Sequence, residues 1–234
     1  MSSDSVYNRT EILIGKENID LLKTKHVVIC GIGGVGSFVL EALARIGIGK
    51  ITVIDKDVID ITNINRQILA LNSTIGKRKV DVALDRIKDI NSDINVNTVC
   101  ENITCDNVSE LLSDEDISYV VDCVDNVSAK IGIISFCNNK NIPCISCMGT
   151  ANKLNPLDLR VADIGKTNTC PLARIVRRRL KEIGIIHQKV VFSVEVSKGD
   201  YKKEEAFGSV SFVPCCAGII IASEVVKDLI KRQK

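Results

Sequence analysis

The sequence predicts an α/β protein built on a mostly parallel sheet with helices on both faces. Three observations predict this class. From residue 26 onwards, short aliphatic runs alternate with longer segments of helical periodicity. The short runs are apolar throughout, which is typical of strands that are buried on both faces. A glycine-rich turn joins the first aliphatic run to the first helical segment, as in the doubly wound folds called Rossmann-like.

The individual elements follow in order. We predict strands at residues 26–29, 50–54, 96–99, 119–121 and 143–148, with helices at 35–45, 77–90, 108–112 and 128–139 between them. After residue 148 the pattern changes, and we predict strands at 157–161 and 190–195, helices at 171–183 and 217–231, and an exposed loop at 197–205. We therefore expect a single domain, residues 1–234, with an N-terminal helical arm (1–25), a core (26–148) and a C-terminal α/β elaboration (149–234).

The composition indicates a globular protein with an aliphatic core. Of the 234 residues 45% are hydrophobic, but only 3% are aromatic and none is Trp. The 31 Lys and Arg residues against 29 Asp and Glu residues give a net charge of +2, which excludes a uniformly basic nucleic-acid coat and an acidic disordered tail. The ten cysteines lie mostly among aliphatic neighbours, and no secretory signal is visible. We expect reduced thiols, a cytoplasmic location and no membrane association.

The glycine-rich turn predicts a nucleotide site. Gly31, Gly33 and Gly36 have the spacing of a dinucleotide fingerprint, with Gly34 inside it. Such glycines let the backbone approach a phosphate, and the following helix offers free N–H groups to the anion. Asp55 ends the second strand, where it can hold a ribose hydroxyl. A glycine turn that serves packing alone is the alternative, but the strand–turn–helix context favours a nucleotide.

More polar side chains follow the second strand than a ribose requires, and this favours ATP over NAD. Arg66 and Lys79 supply cations near the edge of the sheet where a triphosphate would lie. Asp122 and Asp125 close the fourth strand, so we expect two carboxylates at the crevice mouth, of which Asp125 suits Mg²⁺. Cations beside a metal carboxylate indicate phosphate chemistry rather than hydride transfer. The further candidate nucleotide ligands in this region are Asp57, Asn63, Asn65 and Gln67.

In their order along the chain, these motifs resemble the ThiF/MoeB-like, ubiquitin-activating-enzyme superfamily, whose members adenylate carboxylates with ATP. The resemblance implies that Asp55 binds the ribose, that Asn63, Arg66 and Lys79 bind phosphates with Gln67 beside them, and that Asp125 serves the ATP-bound magnesium. Residues 7–9 resemble a segment whose arginine, here Arg9, reaches the γ-phosphate in the partner subunit. The resemblance thus implies a homodimer with an active site shared between the subunits.

The cysteines argue against a zinc site of the kind found in carrier-activating relatives. Such members often hold a structural zinc with two Cys-x-x-Cys pairs. Here Cys144 and Cys147 form one pair within a predicted buried strand, and Cys215 and Cys216 are adjacent, which is a poor chelating spacing. We expect no zinc. Cys170 precedes a predicted helix, where its pKa could be depressed or where it could simply be a small residue.

A basic helical face after residue 170 suggests a polyanion. Arg174, Arg177, Arg178 and Lys181 recur at helical spacing on one face, which is either a solvated surface or an RNA-binding one. Residues 158–174 and 191–195 resemble the tRNA threonylcarbamoyladenosine dehydratase branch of the superfamily. That resemblance implies tRNA as the partner and an ATP-dependent enzyme that adenylates the carboxylate of threonylcarbamoyladenosine and cyclises it, releasing AMP. The segment from 195 to 212 is shorter than that branch leads us to expect.

Two other functions remain open from the sequence. One is an adenylyltransferase that activates the C-terminal Gly-Gly carboxylate of a ubiquitin-like sulfur-carrier protein. The other is a degraded ATP-binding scaffold in a sulfur relay, against which the joint retention of Arg9, Arg66, Lys79 and Asp125 argues. A sulfur-relay protein is in either case a possible partner.

Overall fold

A single seven-stranded sheet organises the chain, as described by a computed structural model that covers residues 6–196 and 207–231. The strands are β1 (His26–Cys30), β2 (Lys50–Ile54), β3 (Asn95–Val99), β4 (Tyr119–Asp122), β5 (Cys144–Cys147), β6 (Leu159–Asp163) and β7 (Lys189–Ser193). Their order is β3-β2-β1-β4-β5-β7-β6, and β6 alone in this sheet runs antiparallel, against β7. The predicted fold class is confirmed.

Helices cover both faces of the sheet. They are α1 (Asn8–Ile14), α2 (Lys16–Lys23), α3 (Gly36–Ile46), α4 (Lys79–Ile90), α5 (Val108–Leu111), α6 (Val127–Lys140), α7 (Pro171–Glu182) and α8 (Phe212–Lys231). On one face, α3, α4 and α8 bury an aliphatic cluster that contains Leu43, Ile87 and Val225. On the other face, α5 and α6 pack on β1 and β4, and α7 extends that layer over β7. Among residues 6–196 and 207–231, no helix has the length and hydropathy that a membrane-spanning segment requires.

The predicted elements are all present, and their boundaries shift by at most two residues except at the start of the last helix, which shifts by five. The strand expected from residue 157 begins at Leu159, because Pro156–Asp158 forms a 3-10 turn capped by the Asn155 side chain. The last helix begins at Phe212 rather than at 217. Pro214 is tolerated there because it lies in the first turn, where a backbone N–H makes no hydrogen bond within the helix. The predicted loop at 197–205 lies outside the described residues.

One sequence expectation is wrong: Asp122 does not lie at the crevice mouth. It is fully buried, and its carboxylate accepts hydrogen bonds from Lys130 Nζ at 3.1 and 3.0 Å and from the Ser146 hydroxyl. Burial alone would lower the pKa of Lys130, but the Asp122 carboxylate outweighs it and the pKa is raised. The sequence alone does not reveal this pair, because α6 brings Lys130 back over the end of β4.

Removing one partner of this buried pair should be costly. We expect Lys130→Met to lower the free energy of unfolding by ~3–5 kcal/mol, since it leaves the Asp122 carboxylate buried without its cation. Lys227 is the matched control, because its side chain is 52% exposed and pairs with Glu224 at the surface. Lys227→Met should cost less than ~1 kcal/mol. Urea unfolding of both variants measures the difference, and equal costs would contradict this account of the core.

Candidate nucleotide-binding site

The main cavity lies at the carboxyl edge of the sheet, between the ends of β1 and β4. From β1 the chain continues outwards through β2 to β3, and it then returns to β4 on the other side of β1. The place where the strand order reverses in this way is the switch point at which doubly wound sheets bind ligands. The cavity encloses about 770 Å³. The sequence-predicted residues that line it are Gly31, Gly33, Gly34, Asp55, Asp57, Asn63, Arg66, Gln67, Lys79 and Asp125.

Two of the glycines are required by close backbone packing. Gly31 has φ +83°, and a Cβ there would lie 3.1 Å from the carbonyl carbon of Cys123. A Cβ at Gly36, which begins α3 and does not line the cavity, would lie 1.9 Å from the Gly31 oxygen. Gly33 is different, since its Cβ would meet nothing closer than Gln67 Nε2 at 3.9 Å. The open side of the turn therefore faces the cavity, where backbone N–H groups can meet an anion.

Asp55 connects the glycine-rich turn to the end of β2. Its Oδ2 accepts a hydrogen bond from the Ile32 N–H at 2.8 Å, and its Oδ1 accepts one from the Asp57 N–H at 2.9 Å. The side chain is almost fully buried but contributes to the cavity wall. Because each carboxylate oxygen has two lone pairs, Asp55 can shape the turn and still accept a hydrogen bond from a ligand hydroxyl.

The two predicted cations are held in place by neighbours. Lys79 is only 4% exposed, and its Nζ lies 2.8 Å from Asp57 Oδ2 and 3.8 Å from Asp55 Oδ1. Arg66 donates to the Thr62 carbonyl and to Asn65 Oδ1, both at 2.8 Å. Asn65 itself does not line the cavity. It lies behind Arg66 and donates to the Ser209 carbonyl at 3.0 Å, which links this segment to the residues before α8.

Asn63 and Gln67 lie on the same wall. The Asn63 side-chain oxygen accepts from the Asp60 N–H at 3.2 Å as part of a capping box, which leaves its NH₂ group to donate. Gln67 is 6% exposed, and its buried Oε1 has no hydrogen-bond partner among the described residues. Buried polar groups are nearly always satisfied, so this side chain is suited to a ligand contact.

Asp125 lies in the loop between β4 and α6, where Asn126 caps the helix by accepting from the Ala129 N–H at 3.0 Å. Asp125 is exposed within the cavity and forms no ion pair with any described residue. The sequence interpretation missed Glu101 and Asn102, which also line the cavity. A signal for them existed, because they come two and three residues after the end of β3, at the same carboxyl edge of the sheet.

Arg9 lies far from the cavity of its own chain. It is exposed in the first turn of α1, and the preceding Tyr7 packs beside Gly47 and Gly49, just before β2 begins. The cavity follows the other end of β2, and five strand residues separate the two edges by about 17 Å. Arg9 is not among the described residues that line the cavity.

The basic face of α7 is formed as predicted, with one exception in its accessibility. Arg174, Arg178 and Lys181 are exposed. Arg177 is half-buried, and its guanidinium donates to the carbonyl and to the hydroxyl of Thr167, both at 2.7 Å. Three of the four cations are therefore open to a polyanion, whereas Arg177 holds α7 against the turn before it.

The cysteine pair does not form a joint ligand set. Cys144 and Cys147 lie at positions i and i+3 of β5, so their side chains point to opposite faces of the sheet. Burial raises the pKa of Cys147 to about 12, which disfavours a thiolate. Cys170 is buried directly before α7 begins.

The ThiF family model matches residues 7–234. The chain belongs to the ThiF family. It is 43% identical to a tRNA threonylcarbamoyladenosine dehydratase of Bacillus subtilis, over 96% of this chain and 94% of that protein. A crystal structure of the E. coli tRNA N6-threonylcarbamoyladenosine dehydratase in complex with ATP superposes with a TM-score of 0.90 at 35% identity, covering 97% of this chain and 94% of that one. A molybdopterin-synthase adenylyltransferase of Salmonella typhimurium is 34% identical over 60% of this chain and 56% of its own length.

The glycine geometry predicts that two similar substitutions differ strongly in their effect on stability. Gly36→Ala should destabilise the fold, because the added methyl group overlaps the Gly31 oxygen and forces the turn apart. Gly33→Ala should change the free energy of unfolding by less than about 1 kcal/mol, because its methyl group projects into open space. Thermal and urea unfolding of the two variants compare them. If Gly33→Ala proved the more damaging of the two, the turn would not be packed as described.

Proposed function

We propose that this chain is an ATP-dependent tRNA threonylcarbamoyladenosine dehydratase, which adenylates the carboxylate of the modified adenosine and cyclises it with release of AMP. The observation that carries the proposal is the switch-point cavity, in which a glycine-rich turn, Arg66, Lys79 and Asp125 face one space of nucleotide size. The similarity to dehydratases over nearly the whole chain supports the same reading.

The cavity accommodates the parts of ATP by their chemistry. Hydroxyl groups of the ribose suit Asp55, which has lone pairs to spare, and the phosphates suit the N–H groups of the glycine turn together with Asn63, Arg66 and Lys79. Lys79 and Asp57 form an ion pair at 2.8 Å, so an incoming phosphate would share the ammonium group with that carboxylate. Both cations are positioned before ATP arrives, which reduces the reorganisation that binding requires.

The reaction then needs positioning more than a protein nucleophile. A carboxylate oxygen of the substrate attacks the α-phosphorus, the bond to the bridging oxygen breaks, and pyrophosphate leaves with the electron pair. A neighbouring nitrogen or oxygen of the threonylcarbamoyl group next attacks the activated carbonyl carbon and expels AMP, while its proton passes to solvent. A five-membered ring results, with the net loss of one water from the substrate. The residues of the cavity hold these groups in line and neutralise the charge.

Asp125 is the residue that we expect to hold Mg²⁺. Its carboxylate is exposed to the cavity and has no cationic partner among the described side chains, so the oxygen donor that this hard ion prefers is available. A bound magnesium ion would supply charge neutralisation at the phosphates. The described residues around Asp125 that also carry oxygen donors towards the cavity are Glu101, Asn102 and Asn126.

A homodimer would bring Arg9 to the nucleotide of the neighbouring subunit. Arg9 is directed away from its own cavity by the placement of α1 at the other edge of the sheet. Ile12 and Leu13 on the same short helix are each 84% exposed, as expected for side chains that a second copy covers. Arg9 would then contribute positive charge to the triphosphate in trans.

The C-terminal part, 149–234, is the part that we propose to contact tRNA. Arg174, Arg178 and Lys181 present three exposed cations on α7, of which Arg178 lies 3.8 Å from the exposed carboxylate of Glu182. Thr150, Ala151 and Phe207 bring this part of the chain to the cavity wall, so a polynucleotide bound beside α7 could extend its modified base to the nucleotide. A sulfur-relay protein remains a possible further partner.

Activation of a Gly-Gly carrier protein is the second candidate, and the relatives favour it less. The similarity to the molybdopterin-synthase adenylyltransferase extends over 60% of this chain, whereas the similarity to the dehydratases extends over 96%. ATP–pyrophosphate exchange in the presence of modified tRNA or of carrier protein separates the two functions.

The decisive test is mass analysis of tRNA nucleosides after incubation with the enzyme, ATP and Mg²⁺. We expect threonylcarbamoyladenosine to lose the mass of one water, with formation of AMP and pyrophosphate. Asp125→Ala should nearly abolish this product while leaving the melting temperature close to that of the wild type. Activity of the variant within a few-fold of wild type would refute the metal assignment, and an unchanged nucleoside with wild-type enzyme would refute the function.

A shared site predicts complementation between two inactive chains. Arg9→Ala and Arg66→Ala should each lower turnover by ~10³-fold or more, as for arginines at other phosphoryl-transfer sites. When the two variants are mixed and allowed to exchange subunits, one site of each mixed dimer has both arginines, so part of the activity should return. Exchange is verified by native mass spectrometry, and no return of activity in confirmed mixed dimers would rule out action of Arg9 in trans.

The basic face of α7 should determine how tRNA binding depends on salt. Replacing Arg174, Arg178 and Lys181 by Ala should reduce the slope of log affinity against log salt by ~0.7–0.9 for each lost phosphate contact, while ATP affinity stays the same. The matched control replaces three exposed lysines elsewhere, Lys140, Lys227 and Lys231, and so removes the same charge. Equal slopes for the two triple variants would reduce α7 to a solvated surface.

A further inference from the structure

A second hollow, at the amino edge of the sheet, is lined on one side by the buried side chain of Tyr7. It has a volume of about 200 Å³ and lies opposite the nucleotide cavity. Tyr7 is 7% exposed, whereas Val6 before it is 78% exposed. The other residues that line the hollow are Lys23, Gly47, Ile48, Gly49, Asn91, Asp93 and Ile94.

The fit of the Tyr7 ring is specific. Its hydroxyl oxygen accepts a hydrogen bond from Asn91 Nδ2 at 2.5 Å, and Lys23 Nζ lies 5.1 Å from the ring centroid. Gly47 has φ +88°, and a Cβ there would lie 2.6 Å from Tyr7 Cε1, so only glycine leaves room for the ring. Burial, with a contribution from the charge of Asp93 and against the Asn91 hydrogen bond, raises the pKa of Tyr7. The hydroxyl therefore stays neutral and serves as an anchor.

This anchor lies at the start of the helix that carries Arg9. The Tyr7 carbonyl accepts the first hydrogen bond of α1, from the Glu11 N–H at 2.8 Å. No residue within α1 itself is buried, and Ile14 is the residue at its far end that packs on the core. Arg9 is two residues from Tyr7, about 3 Å along the helix axis. The direction of its side chain therefore depends on how Tyr7 fixes the first turn.

Asn91 connects the anchor to the nucleotide site. It is the C-terminal cap of α4, and Lys79 is the first residue of the same helix. The twelve residues of α4 form one rigid element about 18 Å long between the two ends of the sheet. Through Tyr7 and Asn91, the N-terminal helix α1 is fixed to one end of α4, and Lys79 lies at the other end of α4.

We propose that Tyr7 is a positioning residue that orients Arg9 for the nucleotide site of the partner subunit. The inference rests on the proposed function, because it takes Arg9 to act in trans. Tyr7 then affects adenylation in the partner subunit. A residue that only packs in the core, or that acts in the active site of its own chain, would not have this effect.

Kinetics of the full-length enzyme give the first readout. Tyr7→Ala should lower kcat by about 10²-fold, the size expected when a catalytic group is misplaced by an ångström, and should leave KM for ATP nearly unchanged. Tyr7→Phe and Asn91→Ala, which remove only the hydrogen bond, should show a smaller loss of the same kind. The double variant Tyr7→Ala/Arg9→Ala should be no slower than Arg9→Ala alone. Tyr119→Phe is the matched control, since it removes the hydroxyl of another buried tyrosine, bonded to Asp228 away from the arm.

Subunit mixing gives the deciding readout, because a role in trans differs from general damage. A Tyr7→Ala chain mixed with an Arg66→Ala chain should regain activity: the intact Arg66 lies on the first chain, and the well-placed Arg9 comes from the second. A Tyr7→Ala chain mixed with an Arg9→Ala chain should regain none. If Tyr7 only stabilised its own chain, the first mixture would stay inactive. The same mixtures with Tyr7→Phe give the result should Tyr7→Ala fail to fold.

Failure of this inference and failure of the proposed function give different patterns. Recovery with Arg9→Ala plus Arg66→Ala, but none with Tyr7→Ala plus Arg66→Ala, would overturn the role of Tyr7 and leave the shared site intact. No recovery in either mixture, with mixed dimers confirmed by mass, would overturn the shared site itself. A kcat for Tyr7→Ala within twofold of the Tyr119→Phe control would also overturn the role of Tyr7.

Discussion

The site depends on backbone segments that approach one another with no side chains between them. Gly31 lies against the backbone of Cys123, Gly36 lies against Gly31, and Gly218 of α8 lies so close to α3 that a Cβ would be 2.5 Å from the Val35 oxygen. These contacts join the ends of β1 and β4 and the start of α3 into one surface. The glycine-rich turn forms part of the cavity wall, and Asp55 connects it to the end of β2 through the Ile32 N–H.

Arg66 and Lys79 both have partners within the protein. Lys79 is paired with Asp57, and Arg66 is bound to neutral oxygen atoms of Thr62 and Asn65. An incoming phosphate therefore competes with the partners that these cations already have. The free energy gained on phosphate binding is smaller than the number of positive residues suggests. In return, the cations are held in one geometry. This arrangement favours a reaction whose main requirement is alignment.

Local patterns predicted the elements and most of the cavity, whereas contacts between distant segments were not accessible from sequence. Gly31 and Asp55 could be placed because strand ends in a parallel sheet meet at one edge. The pairing of Asp122 with Lys130 depends on how α6 returns over β4, so the carboxylate was wrongly expected at the surface. The bond from Asn65 to the Ser209 carbonyl joins residues far apart in the chain, and no periodicity records it. Arg177 follows the helical spacing of its neighbours, yet Thr167 binds it.

The close approach of α8 to α3 has a consequence for biosynthesis. Chains are made from the N-terminus, so the glycine-rich turn leaves the ribosome long before α8 does. Gly218 and Pro214 of α8 complete the packing behind that turn and part of the pocket wall. Such non-local contacts also slow folding, because the loop between them must close first. A nascent chain therefore carries the phosphate-binding motif but cannot shape it into a pocket until the last helix has emerged.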